Sequence, residues 1–207
     1  MEEKQKQLER LKKEIEEDTS LPLCGESNLV IGEGDANAKI MFIGEAPGFH
    51  ENEQRRPFVG QAGKLLESLL KQINWPRESV YITNIVKRRP PQNRDPELAE
   101  IAAYKPYLKK QIQIIYPNVI ATLGRFSMNY FLPDAKISRD HGKQFRIKDI
   151  IIYPLYHPAA ALRSTSVLKE LELDFKKLPE VVRSVNQPNH DILEKKHEEV
   201  SKQASLF

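Results

Sequence analysis

Three polar side chains in this sequence stand where apolar runs of strand length stop. Glu45 follows Ile40-Met-Phe-Ile-Gly44, Asn84 lies at the end of the run that begins at Val80, and His157 follows Ile150-Ile-Ile-Tyr-Pro-Leu-Tyr156. In an open α/β sheet, ligands bind outside the carboxyl ends of the strands. The Gly44–Gly48 turn, which contains Ala46 and Pro47, therefore sets the Glu45 carboxylate where a ligand would meet it. The bland alternative is an ordinary strand-to-loop turn with a surface glutamate. Asparagine is unfavourable in a strand unless its amide has work there. A lone strand-end histidine is more often a satisfied structural group than a catalyst. Parallel strands all point one way, however, so the three side chains gather at one rim and read as a site.

The elements that must position them alternate in kind. Nearly all-apolar runs at 39–44, 80–86, 119–123 and 150–156 alternate with helical patterns at 62–73, 96–115, 125–131 and 166–178. This predicts an α/β fold, a parallel sheet sheathed by helices on both faces. Gln144–Ile147 forms a ribbon that turns back into the last strand. Asp95 is the expected cap of the 96–115 helix, with Pro96 at its first position. Gly32-Glu-Gly-Asp35 reads as a turn. Residues 2–17 form a polar helix with a narrow stripe of Leu8, Leu11 and Ile15. The division is an N-terminal helix (1–20), one α/β domain (21–180) and a polar tail (181–207).

Phe58, among Arg, Pro and Gly, either plugs the core beneath its loop or holds a flat face up for a ligand ring. Gly60 and Gly63 open the next helix, where small residues free backbone N–H groups for an anion. Lys87, Arg88, Arg89 and Arg94 make the loop after Asn84 basic. A solvated surface is the alternative for such runs. The net charge of the 207 residues is only +3, a weak hint of a nucleic-acid partner. No apolar run approaches the ~20 residues of a membrane span, and no signal segment is visible. A single cysteine, Cys24, excludes an internal disulfide and a cysteine-based metal cage. Cytoplasmic residence is expected.

Several motifs in order resemble the type-4 uracil-DNA glycosylases: Gly44-Glu-Ala-Pro-Gly48 with Glu51, Arg56-Pro-Phe-Val-Gly60 with Ala62-Gly63, Thr83-Asn-Ile-Val-Lys87 with Arg89-Pro-Pro-Gln-Asn-Arg-Asp-Pro96, and His157-Pro-Ala-Ala with Leu162-Arg163. The match runs from about Val30 to Lys177. It implies a three-layer α/β/α fold with a four-stranded parallel sheet, and excision of uracil flipped out of single- or double-stranded DNA. By resemblance, Phe58 stacks on uracil, Asn84 reads its edge, and Gly44 and Ala46 line the base. His157 hydrogen-bonds O2, and Glu45 holds the water or stabilises the sugar cation. Leu162 or Ala161 fills the gap in the stack. Lys87, Arg88, Arg89, Gly60, Gly63, Gly124 and Arg163 contact DNA. The nearest alternatives are a glycosylase for other deaminated bases, a catalytically weak uracil-trapping protein, and an interaction module. A monomer is expected.

The resemblance has gaps. The family carries four cysteines that bind a [4Fe–4S] cluster. Two of these positions fall at Arg88 and Tyr104, and the others near Asp18 and Leu21. No cofactor or metal is therefore expected. Tyr104 and Leu21 should fill the vacated space, with Arg88 turned outward to DNA. Asn52 replaces the acid usual after Glu51. The terminal Gln203-Ala-Ser-Leu-Phe207 either tucks back onto the domain or is a tethered peptide. In the second case it looks like the pentapeptide that docks bacterial repair proteins on the sliding clamp, through Gln203, Leu206 and Phe207.

Overall fold

The structure is a computed structural model, and it describes residues 2–185. Six strands form one sheet: β1 (Glu33–Gly34), β2 (Ile40–Gly44), β3 (Tyr81–Asn84), β4 (Val119–Leu123), β5 (Phe145–Ile147) and β6 (Ile150–Leu155). Their spatial order is β1-β3-β2-β4-β6-β5. The four central strands are mutually parallel, as expected, and the two edge strands run antiparallel to them. The expected four-stranded sheet thus gains β5, the anticipated ribbon, and β1, which lies where a turn was expected. Gly34 permits β1, because a Cβ there would sit 1.8 Å from the Val80 carbonyl oxygen.

Alternation along the strands divides the core into two layers. Met41 and Ile43 of β2, Ile120 of β4 and Ile152 of β6 pack on one face. Ile40 and Phe42, Val119 and Ala121, and Ile151 and Tyr153 pack on the other. The first face is covered by α1 (Glu2–Glu17), α4 (Leu98–Ile115) and α5 (Arg125–Phe131), the second by α3 (Gln61–Gln72) and α8 (Thr165–Ser184). The stripe of α1 is buried as its spacing predicts, and Lys4 Nζ donates to the Ile115 carbonyl at 2.8 Å, fixing α1 to the end of α4.

Three local features depart from the sequence reading. The cap of α4 is Glu97, in a reciprocal capping box with Glu100, while Asp95 pairs instead with Arg125 at 2.8 Å. The loop after Gly48 contains a short helix, α2 (Phe49–Gln54). The last helix does not stop before Pro179 but continues to Ser184. Proline removes one helical hydrogen bond. The apolar face Leu171, Phe175, Leu178, Val181 nevertheless keeps its three-to-four spacing across Pro179 and stays buried. Each such side chain contributes ~1.5–3 kcal/mol on burial, enough to offset the missing bond. Two further short helices are α6 (Ile137–Asp140) and α7 (Pro158–Ala161). Gln203, Leu206 and Phe207 lie outside the described residues.

Candidate active site

The register of the parallel strands brings the rim together. Gly44 of β2 pairs with Asn84 of β3, and the Gly124 amide donates to the Leu155 carbonyl at 2.8 Å, tying the end of β4 to that of β6 just before His157. Asn84 is 2% exposed. Its Oδ1 is buried and makes no hydrogen bond among the described residues. An unpaired buried carbonyl oxygen costs about 1–3 kcal/mol. At the rim it can take a donor from a ligand, and it forms the floor of the site.

Phe58 is buried beside that floor, with a φ of 50°. Left-handed backbone at a bulky residue costs of order 1–3 kcal/mol and persists only when its surroundings enforce it. Glu51 does so from one side: its Oε1 accepts from the amides of Val59 and Gly60 at 2.9 and 2.8 Å. Arg77 does so from the other, donating to the carbonyls of Pro57 and Phe58 while its Nε pairs with Glu33 at 2.7 Å. Gly44 and Gly63 make room. A Cβ on Gly44 would lie 2.5 Å from Asn84 Oδ1 and 2.6 Å from Phe58 Cζ, and one on Gly63 would lie 1.9 Å from the Phe58 carbonyl oxygen. Gly44, Asn84 and Phe58 are therefore one constructed surface. The sequence carries Glu51 three residues after Gly48, the only hint of its role; nothing local marks Arg77.

The His157 ring lies 5.7 Å from that of Phe58, tilted by 32°. Its side chain caps α7: Nδ1 accepts from the Ala159 amide at 3.1 Å. An accepting Nδ1 places the proton of a neutral imidazole on Nε2. Burial pushes the His157 pKa down to about 4, against a smaller upward pull from Glu51. At neutral pH the ring is thus an uncharged Nε2–H donor. Burial, helped by the nearby Asp95 charge and opposed by Arg125, raises the Glu45 carboxyl to about 7. One rim thus holds a fixed amide, a neutral N–H donor and a carboxyl poised to take a proton near neutrality.

Several sequence expectations need correction. Lys87 is not a surface cation: it is fully buried, and Nζ donates to Thr83 Oγ1, the Asn84 carbonyl and Gln111 Oε1 at 2.6–2.7 Å. Arg88 does not point outward. It is 6% exposed, and Nη1 donates to the Ser27 carbonyl at 2.6 Å. Gly63 and Gly124 are buried. Gly63 clears Phe58, Gly124 packs on His157, and the Gly60 amide is already taken by Glu51. Of the two candidates for filling the stack, Ala161 is buried and Leu162 is 54% exposed. Arg163 is exposed, Arg89 is partly exposed, and Ala46 packs partly buried against the core.

The cluster positions implied by resemblance do not fit an iron–sulfur centre. Tyr104 is fully buried and donates to the Pro22 carbonyl at 2.7 Å. Leu21 packs in the same apolar cluster as Tyr104, and the buried Arg88 side chain interacts with the Tyr104 hydroxyl. None of these side chains supplies a thiolate, and the chain's one cysteine, Cys24, cannot bind a cluster alone.

The central parallel strands bring Glu45, Asn84 and His157 to one rim beside Phe58, and the model of the uracil DNA glycosylase superfamily matches residues 31–180, which places the chain in the glycosylase class. Type-4 uracil-DNA glycosylases of Sulfurisphaera tokodaii and Saccharolobus solfataricus are each 47% identical, over 84% of both chains and over 76% of this chain and 77% of the relative, respectively. That of Archaeoglobus fulgidus is 44% identical over 75% of this chain and 82% of its own. The chain belongs to the type-4 uracil-DNA glycosylase family.

Proposed function

We propose that this protein is a DNA-repair hydrolase that extrudes uracil from DNA and hydrolyses its N-glycosidic bond, leaving an abasic site. The observation that carries this reading is the buried Oδ1 of Asn84 beside Phe58, unpartnered among the described residues. Uracil N3–H can donate to that oxygen while the amide Nδ2 donates to O4. Cytosine presents an acceptor at N3 and a donor at C4, so both contacts would clash. Gly44 lets the ring approach, and Phe58 stacks beneath it.

Bond cleavage moves the electron pair of the C1′–N1 bond onto the base and leaves positive charge on the sugar. His157 Nε2–H donates to uracil O2 as negative charge grows there. A neutral imidazole donates without delivering its proton, so uracil leaves as an anion. Glu45 holds a water beside the sugar; the water oxygen bonds to C1′ and its proton passes to the carboxylate. Leu162 enters the space vacated in the stack, and Arg89 and Arg163 meet phosphates. No step needs a metal or cofactor. The work lies with DNA at the nucleoid, in the cytoplasm, and the Gln203–Phe207 tail would tether the enzyme to a sliding clamp.

The test is a strand-break assay. Oligonucleotides containing one uracil, hypoxanthine or thymine, single- or double-stranded, are incubated with the protein and treated with alkali. Breaks at uracil are expected. Tight binding without breaks would mark a trapping protein instead, and breaks at hypoxanthine alone would move the substrate.

A further inference from the structure

Phe49 opens α2 directly after the loop that carries Glu45, and its side chain is 52% exposed. Arg89, in the loop that leaves Asn84, lays its guanidinium over that ring, 5.3 Å from the centroid. His50 meets the same ring edge-on, with centroids 5.5 Å apart and planes at 78°. The Arg89 Nε is anchored on Asn93 Oδ1 at 2.6 Å, and its terminal nitrogens donate to no acceptor among the described residues. Two chain segments that build the site are thus joined by an aromatic–guanidinium pair in which Phe49 is exposed and Arg89 partly so.

This pair has the chemistry of one nucleotide's receptor. The exposed part of an aromatic ring takes a base by stacking, whatever its identity, and an adjacent guanidinium takes the phosphate. In a duplex the base next to the target is held in its own stack. In a single strand it is free to turn and lie on the ring. The ring and polar contacts of the pair are with each other, His50 and Asn93 rather than with Asn84, so the platform adds affinity without reading uracil.

We propose that Phe49 and Arg89 form a stacking platform for the nucleotide adjacent to the excised base, used on single-stranded DNA. The proposal rests on the glycosylase reading above.

The test is a binding cycle. The affinity of the wild type and of Phe49→Ala is measured by anisotropy. The ligands are single strands carrying uncleavable 2′-fluoro-deoxyuridine, with the neighbouring nucleotide on either side intact or abasic, and the matching duplex. Phe49→Ala should bind the intact single strand about 5- to 150-fold more weakly, the range of one base–aromatic stack. That difference should vanish when the nucleotide on one particular side is abasic, and the duplex should be unaffected. Phe49→Trp should bind at least as tightly as the wild type. Arg89→Gln should lower the slope of log K against log salt by ~0.7 on single strands. An unchanged affinity for Phe49→Ala, or a loss equal on all strands, would overturn the platform. Wild-type excision of uracil is followed in parallel: its absence defeats the glycosylase reading, whereas excision with Phe49-independent binding defeats the platform alone.

Discussion

The Lys87 side chain reaches back to the Asn84 carbonyl, its Nζ donating at 2.7 Å, so a residue three positions after Asn84 in the sequence braces its backbone. Lys87 joins the end of β3 to Gln111 of α4 and to Thr83, whose hydroxyl in turn donates to the Ile31 carbonyl at 2.6 Å. Burial holds its pKa well below the ordinary lysine range. Lys87→Met should lower unfolding stability by roughly 1–3 kcal/mol for each acceptor left bare, measured in urea. It should slow excision by loosening Asn84, yet leave the salt dependence of DNA binding unchanged. A reduced salt slope would return Lys87 to the DNA interface.

His157→Ala should keep DNA affinity and lose about 10²–10³ in excision rate, the usual effect of removing one oriented donor from a developing oxyanion. Single-turnover kinetics separates the two. A wild-type rate would remove His157 from the chemistry.

Asn84→Asp replaces a donor–acceptor amide with an acceptor-only carboxylate. Preference should move toward cytosine, scored as strand breaks at cytosine opposite an abasic site. Unchanged base choice would count against Asn84 as the reader.

The two shifted pKa values fix a pH profile. As the proposed base, Glu45, with its carboxyl raised to about 7, would accept the water proton only when ionised. His157, lowered to about 4, is already neutral well below that. The free-enzyme profile of kcat/KM should therefore rise with pH through about 7, governed by Glu45, without a fall caused by His157. Glu45→Gln should flatten the rise at a much lower rate. Asp95→Asn removes the negative charge that helps raise Glu45, so the rise should shift to lower pH. A rise that persists unchanged in Glu45→Gln would mean that Glu45 is not the base.

Two regions test the departures from the family pattern. Purified protein offered iron and sulfide should develop no cluster absorbance near 400 nm, an order-of-magnitude marker of thiolate-bound iron–sulfur centres. Tyr104→Ala should cost about 3–5 kcal/mol, as for other large-to-small aromatic core changes. A peptide of the last ten residues should bind the host's sliding clamp, and the same peptide with Leu206 and Phe207 changed to Ala should not. Truncation after Lys202 should leave cleavage of short oligonucleotides unchanged.

Periodicity alone determined the sheathed parallel sheet, because buried strands must be apolar on both faces and the sequence shows them at β2, β3, β4 and β6. It also determined that Glu45, Asn84 and His157 share a rim, since parallel strands have only one carboxyl edge. Where each long side chain goes was not legible. Lys87 and Arg88 lie in a basic run that reads as surface, and only the packing of α4 and the 21–28 segment against β3 shows them turned inward. Glu51 and Arg77 clamp the Phe58 turn from positions 7 residues before and 19 residues after it. A backbone held in the left-handed region leaves no periodic signature. The continuation of α8 through Pro179 was decided the same way, by burial of Leu178 and Val181. Local propensity measures what a segment prefers alone, and at these positions the contacts that decide the structure come from elsewhere in the chain.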